Sequence, residues 1–405
     1  MYFFLSWLML ILSSTYAQSD GLLQNNLSIQ SFSKAKDAEK VRTGFLGRSF
    51  LPYLTFELGQ EKFQTGRYQS YSNPYGQLEA RFNLFRGGRD ALESGIRDHQ
   101  AKIGAYNLDS AFREELNKVR KLQWQVIYNN ELIKVIESEK RENALIKEQA
   151  IRRAKSGIAT KSDTLEFTIH DSELEESLES LHHENKILKI ALLPLLGLES
   201  EEALQFKEPL VHDHDDELLE KRHSSKSYPQ VARLNSEYEG FELQKKSVNR
   251  WWTPSLDLYG GYYLYTLRDR DYLAINARDD RVIGLRMTFE LFDGLRSYNQ
   301  GTSTQYIAES KKLMARHMER QTDAQFIMYQ EDMKHTHEVM HYIEDRIKKS
   351  KVYLTFTLQE YDRGVKNSLD ALVAMQRYYR YEKEYLIKKK EYQVFKADLL
   401  AILGE

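Results

Sequence analysis

The chain has no cysteine among its 405 residues. That excludes disulfide staples, thiol nucleophiles, cysteine-type zinc sites and a lipid-bearing cysteine. Proline is scarce too. Pro52, Pro74, Pro194, Pro209, Pro229 and Pro254 are the whole set, so spans 75–193 and 255–405 contain none. Proline breaks helix interiors, so both spans are open to very long helices. Neither sign of charge is in excess: 58 Lys and Arg stand against 60 Asp and Glu, a formal net of −2. No basic field exists to hold nucleic acid, and none is expected as a partner. No apolar run reaches the ~18 residues that a membrane-spanning helix requires.

What is present begins with a targeting signal. Tyr2 to Leu12 are almost all apolar, and Ser13-Ser14-Thr15-Tyr16-Ala17 supplies small residues for a peptidase. Residues 1–17 therefore read as a signal peptide cleaved after Ala17, and the mature protein as exported. No phosphate loop, nucleophile elbow or metalloprotease motif occurs, so no enzyme activity and no cofactor are expected. His212-Asp213-His214-Asp215-Asp216 offers imidazole and carboxylate ligands. The plainer reading is a solvated loop, and no metal is assigned. His182-His183 and His335, His337 and His341 read as packed or solvated helix residues. Tyr378, Tyr379, Tyr381 and Tyr385 read as inter-helix packing.

Two stretches repeat at one offset of 207 residues. Leu84-Phe85-Arg86-Gly87-Gly88-Arg89 recurs as Leu291-Phe292-Asp293-Gly294-Leu295-Arg296. Gly157-Ile158 with Asp163 and Leu165 recurs as Gly364-Val365 with Asp370 and Leu372, and Leu196-Gly197 as Leu403-Gly404. A constant offset over three anchors is an internal duplication.

Each copy opens with alternating residues. Leu78, Ala80, Phe82 and Leu84 alternate with Gln77, Glu79, Arg81 and Asn83. Ile283, Leu285, Met287, Phe289 and Leu291 alternate with Gly284, Arg286, Thr288 and Glu290. Period two marks a strand whose faces see different solvents. Hairpins are expected at 50–85 and 254–292. Each is followed by a long helix and a shorter one, at 89–156 and 160–196, then at 297–361 and 367–403. Apolar spacing near 3.5 gives them a heptad-like seam. At 1.5 Å per residue the longer ones are on the order of 100 Å. Gly157 and Gly364 are the turns between paired helices. Residues 18–49 form an N-terminal segment, and 198–250 a linker and equatorial segment.

Strand, strand, long helix, shorter helix, repeated once behind a signal peptide, resembles the TolC-type outer membrane efflux protein family. The quoted hairpin exits, the Gly-x-x-x-x-x-Asp-x-Leu turns and the helix from Tyr385 to Gly404 carry that resemblance over nearly the whole mature chain. The fold it implies is mainly α with β. Four strands per chain would contribute to a trimeric, twelve-stranded transmembrane β-barrel, continued by a long periplasmic α-helical barrel. Residues 251–404 form repeat 2 and 50–197 repeat 1.

The implied function is an exit duct in the outer membrane of a Gram-negative bacterium, serving efflux or type I secretion. The implied partners are two further copies, a periplasmic adaptor and an inner-membrane pump of RND, ABC or MFS type. Ile283, Leu285, Met287, Phe289 and Leu291 would meet lipid, and Trp251 and Trp252 would sit at its interface. The resemblance places a gate at Asp163, Tyr361, Lys366 and Asp370. Lys366 replaces an arginine and cannot give two-pronged pairing. A second acidic ring would fall at Val373 and is absent. Helix capping is the competing role for Asp163 and Asp370. The alternative function is a soluble periplasmic coiled-coil adaptor, which has no use for lipid-facing strands.

Overall fold

The computed structural model describes residues 23–44, 51–65, 69–156, 161–200, 204, 210, 218–219, 228–268 and 275–404. In chain order the elements are α1 (Leu27–Thr43), β1 (Tyr53–Thr65), β2 (Gln69–Phe85), α2 (Arg89–Lys155), α3 (Lys161–Leu196), α4 (Pro229–Val248), β3 (Ser255–Arg268), β4 (Ile275–Thr288), α5 (Arg296–Asp362) and α6 (Ser368–Leu403). The duplication is visible in their lengths: α2 and α5 have 67 residues each, α3 and α6 have 36 each. No described helix is long and apolar enough to cross a membrane. The expected signal peptide at 1–17 and the cluster His212–Asp216 lie outside the described residues.

The chain divides into two compact units. One comprises Met1–Ser33, Leu108–Tyr228 and Met318–Glu405; the other comprises Lys34–Asn107 and Pro229–His317. Within the first, the long helices pack through residues spaced by seven. On α5, Thr322, Thr336, Ile343, Ser350 and Thr357 form one buried row, and Phe326, Met333, Met340, Leu354 and Tyr361 form another. On α2, Val119, Val126 and Ile133 form one such row, and Ile136, Asn143 and Ala150 a second. Two rows at this spacing are a coiled-coil seam. The helix ends bury a separate cluster: Ile146 and Ala150 of α2, Phe167 of α3, Leu354 and Tyr361 of α5, and Leu372 and Met375 of α6.

The second unit holds one four-stranded antiparallel sheet in the order β1-β2-β3-β4. It differs from the sequence expectation at three places. β4 ends at Thr288, so Phe289 and Leu291 lie beyond the sheet although their alternation continues. The reason is on the neighbouring strand. β3 starts at Ser255, paired with Thr288, and Pro254 before it has no N–H for another rung. β2 begins earlier, at Gln69, and includes Pro74. That proline pairs with Gln60 on β1, and the pairing of β2 to β3 starts at the next residue, Tyr75. A register shift between Asn83 and Phe85 bulges β2 at its exit.

Both hairpins leave the sheet through two left-handed residues in a row. Gly87 and Gly88 have φ of 64° and 73°; Gly294 and Leu295, at the same places in the second copy, have 68° and 62°. Leu295 is the non-glycine residue with positive φ among those described. The duplicated backbone has been kept while the glycine has not. A left-handed leucine costs roughly 1 kcal/mol, and its side chain is 60% exposed, so little packing offsets the cost. Leu295→Gly should raise the thermal midpoint of the purified protein slightly, by up to roughly 0.5 kcal/mol of stability, because the relieved strain exceeds the added entropy cost of glycine. A lowered midpoint would show that the leucine packs productively.

Candidate functional site

Two places hold the residues singled out by sequence: the sheet in one unit and the helix turn in the other. On the sheet, register decides the faces. Leu54 pairs with Ala80, Phe56 with Leu78, and Leu58 with Gly76. Phe82 pairs with Leu258 and Leu78 with Tyr262. Leu256 pairs with Met287, Leu258 with Leu285, and Gly260 with Ile283. Paired residues share a face, so one apolar surface runs across all four strands. It is exposed: Leu54 and Phe56 at 68% each, Leu58 at 72%, Ile283 at 83%, Leu285 at 66%. An apolar surface this large and contiguous marks contact with a membrane or a protein.

The other face is polar and internally bonded. Tyr75 donates to Glu57 at 3.1 Å, and Gln77 donates to the same carboxylate. Arg81 pairs with Glu79 at 3.2 Å, and Asn83 donates to Asp257 at 2.7 Å. The Arg286 guanidinium lies 4.6 Å from the centre of the Tyr259 ring. The outer edges of β1 and β4 pair with nothing among the described residues. Before β3, Trp251 is half-buried in the turn that closes α4, and Trp252 is 62% exposed.

At the helix turn, Gly364 has φ of 81°. Its N–H reaches Tyr361 O at 2.9 Å, and Val365 N–H reaches Glu360 O at 2.9 Å, which closes the end of α5. Asn367 then caps α6. Its side chain accepts from Asp370 N at 2.8 Å, and the Asp370 carboxylate accepts from Asn367 N at 3.3 Å. Asp370 is therefore half of a capping box. Tyr361 is 1% exposed. Its hydroxyl lies 3.3 Å from Ser368 Oγ, and its ring carries the Arg153 guanidinium 4.4 Å from the centroid. Arg153 also donates to the Tyr361 carbonyl. Repeat 1 thus grips the turn of repeat 2. Lys366 is half-exposed beside that turn. Gly157 and the side chain of Asp163 lie outside the described residues.

Sequence reading missed a buried polar cluster behind this turn. His170 of α3 lies 3.1 Å from Glu139 of α2 and 3.4 Å from Glu173. Lys383 of α6 lies 2.7 Å from Glu139, whose side chain is 2% exposed. Burial lowers the imidazole pKa, but hydrogen bonds and charge from Glu139 and Glu173 outweigh it, so the net displacement is upward. The Tyr379 hydroxyl donates to Glu142 at 2.8 Å, and burial with that bond raises its pKa. Glu139 and Asn143 fall on the buried side of α2. Polar residues at seam spacing were the signal available.

No protein-family model matches the chain, and no curated protein does. Solved structures do. The outer membrane protein VceC from Vibrio cholerae superposes with a TM-score of 0.80 at 15% identity, covering 96% of this chain and 96% of that one. The open state of the Neisseria gonorrhoeae MtrE outer membrane channel gives 0.78 at 14% identity, over 95% and 88% of the two chains. The Campylobacter jejuni CmeC outer membrane channel gives 0.76 at 12% identity, over 95% and 84%.

Proposed function

We propose that this chain, whose fold is that of the TolC-type outer membrane channels, is one subunit of a passive exit duct. The observation that carries the reading is the sheet: one face apolar and exposed, one face polar, and both edges unpaired among the described residues. Open edges are not tolerated in lipid, so the strands must be pooled between copies. Three copies give twelve strands, an even number within the range of outer membrane barrels. The apolar face meets lipid and the polar face lines water. Trp251 and Trp252 take the headgroup level. The helical portion lies in the periplasm, where an adaptor and an energised pump dock. The cargo is chosen by that pump. A soluble adaptor is disfavoured, because it would leave the surface of Leu54, Phe56, Leu58, Ile283 and Leu285 in water.

The closed state of the duct is held at the helix turn. Tyr361, gripped by Arg153, and Lys366 beside Gly364 set the position of α6 relative to α5. Asp163 and Asp370 stand at the starts of α3 and α6. Trimers purified in detergent should produce current steps in planar bilayers. Tyr361→Phe with Lys366→Ala removes the hydroxyl and the ammonium while leaving the ring packed, and should raise the conductance of each step. Unchanged conductance would take both residues out of the gate. Absence of current steps from the native protein would count against the duct itself.

A further inference from the structure

The polar face of the sheet has an order beyond its polarity. One rung crosses all four strands: Glu57 pairs with Gln77, Gln77 with Tyr263, and Tyr263 with Asp280. Two carboxylates stand on the two edge strands, and no basic side chain is in the rung. Beside it, tyrosine rings lie over glycines. A Cβ built at Gly59 would come within 2.4 Å of the Tyr75 ring, and one at Gly261 within 2.6 Å of the Tyr263 ring. A third ring, Tyr259, sits over Gly284 in the same way, where a Cβ would come within 2.9 Å. A ring seated on bare backbone turns its other π face away from the wall. The Arg286 guanidinium lies 4.6 Å from the centre of the Tyr259 ring, so one tyrosine of this sheet face already holds a cation.

We infer that the Glu57–Gln77–Tyr263–Asp280 rung, with Tyr75 alongside, is a subsite for organic cations, meaning an ammonium or guanidinium group on an apolar body. The inference rests on the proposed function, in which this face lines water. Carboxylates supply long-range attraction and discriminate by sign, as acidic rings do in cation pores. The π faces favour a cation that sheds water easily, which an alkylammonium does and a small inorganic ion does not. The apolar body stacks on the same rings. Strands in a barrel tilt, so the rung climbs the wall as a diagonal stripe. Three copies place six carboxylates around the passage. Such a stripe holds the cation weakly and repeatedly, which a duct needs for conduction.

The test is current block in planar bilayers, with the probe added on the barrel side of the full-length trimer. Benzyltrimethylammonium should reduce the current, and neutral benzyl alcohol should not. Glu57→Gln with Asp280→Asn should raise the half-blocking concentration about tenfold, and Tyr263→Leu should do the same. Tyr263→Phe keeps the π face and should block like the native protein. Equal half-blocking concentrations in the native and amide-substituted trimers would overturn the subsite while leaving the duct standing, as would block by benzyl alcohol at the same concentration. A native trimer that passes no current would overturn the duct and the subsite together.

Discussion

Ile283→Arg should abolish or sharply reduce assembly into the outer membrane. Ile283 is 83% exposed and lies midway along the apolar face, in a row with Gly260, Ala80 and Leu54. Arginine at the midplane of a barrel's lipid face costs about 2–4 kcal/mol per site, and the cost falls to about 0–1 near the interface. In a trimer the substitution is made three times. Met287 is on the same face but in the last rows of β4, paired with Leu256 near the start of β3. Met287→Arg should therefore be milder. Thr288→Arg, one residue further and on the polar face, should be silent. The yield of detergent-extracted, membrane-inserted trimer reads all three. A ranking other than Ile283, then Met287, then Thr288 would contradict the assignment of faces.

The second large effect is in the helices. Lys383→Met should destabilise the protein by about 2 kcal/mol, because it removes one of the two basic partners of a carboxylate that stays buried and leaves His170 as the other. Lys383 lies 2.7 Å from Glu139, which is 2% exposed. Replacing both residues, with Glu139→Leu alongside, should recover part of the loss, since the buried carboxylate is gone while His170 keeps only Glu173 as an acidic partner. Equal losses in the single and double variants would mean that the ion pair itself, not the orphan carboxylate, carries the stability. The neighbouring histidine adds a pH dependence of known sign. His170 has a folded pKa raised above the ordinary 6.5 by Glu139 and Glu173, against the opposing effect of burial. A raised value means that the folded state holds the proton more tightly, so its contribution is complete below 6.5 and is lost as pH climbs through the folded value. Thermal midpoints in detergent should fall from pH 6 upward more steeply in the native protein than in His170→Asn. Parallel slopes would show that the imidazole does not titrate in this range.

Much of this was legible in sequence, for definite reasons. The long helices announced themselves by missing proline and by the seven-residue spacing of Val119, Val126 and Ile133. The strand faces were legible where apolar and polar residues alternate, as at Leu78 to Leu84 and at Ile283 to Met287. Residues 69–73 and 275–281 lie outside the alternating stretches, although they pair in the ladder with 61–65 and 262–268. Phe289 and Leu291 misled in the opposite direction: the alternation runs on, but Pro254 removes their partner strand. The capping role of Asp370 was written in its place at the third residue of α6, with Asn367 before it. Tyr361 was less readable. Its spacing from Leu354 marks the seam, yet the guanidinium stacked on it comes from Arg153, 208 residues away. The cluster of Glu139, His170 and Lys383 joins three helices, and no local pattern places those residues together.

The central claim is that the open sheet is a wall segment shared by several identical chains. The number of chains per particle in detergent, measured by native mass spectrometry on protein taken from the outer membrane fraction, bears on it most directly. The account predicts three, held together without cysteine and lost from solution when detergent is withdrawn. A single chain per particle that stays dissolved without detergent would contradict it.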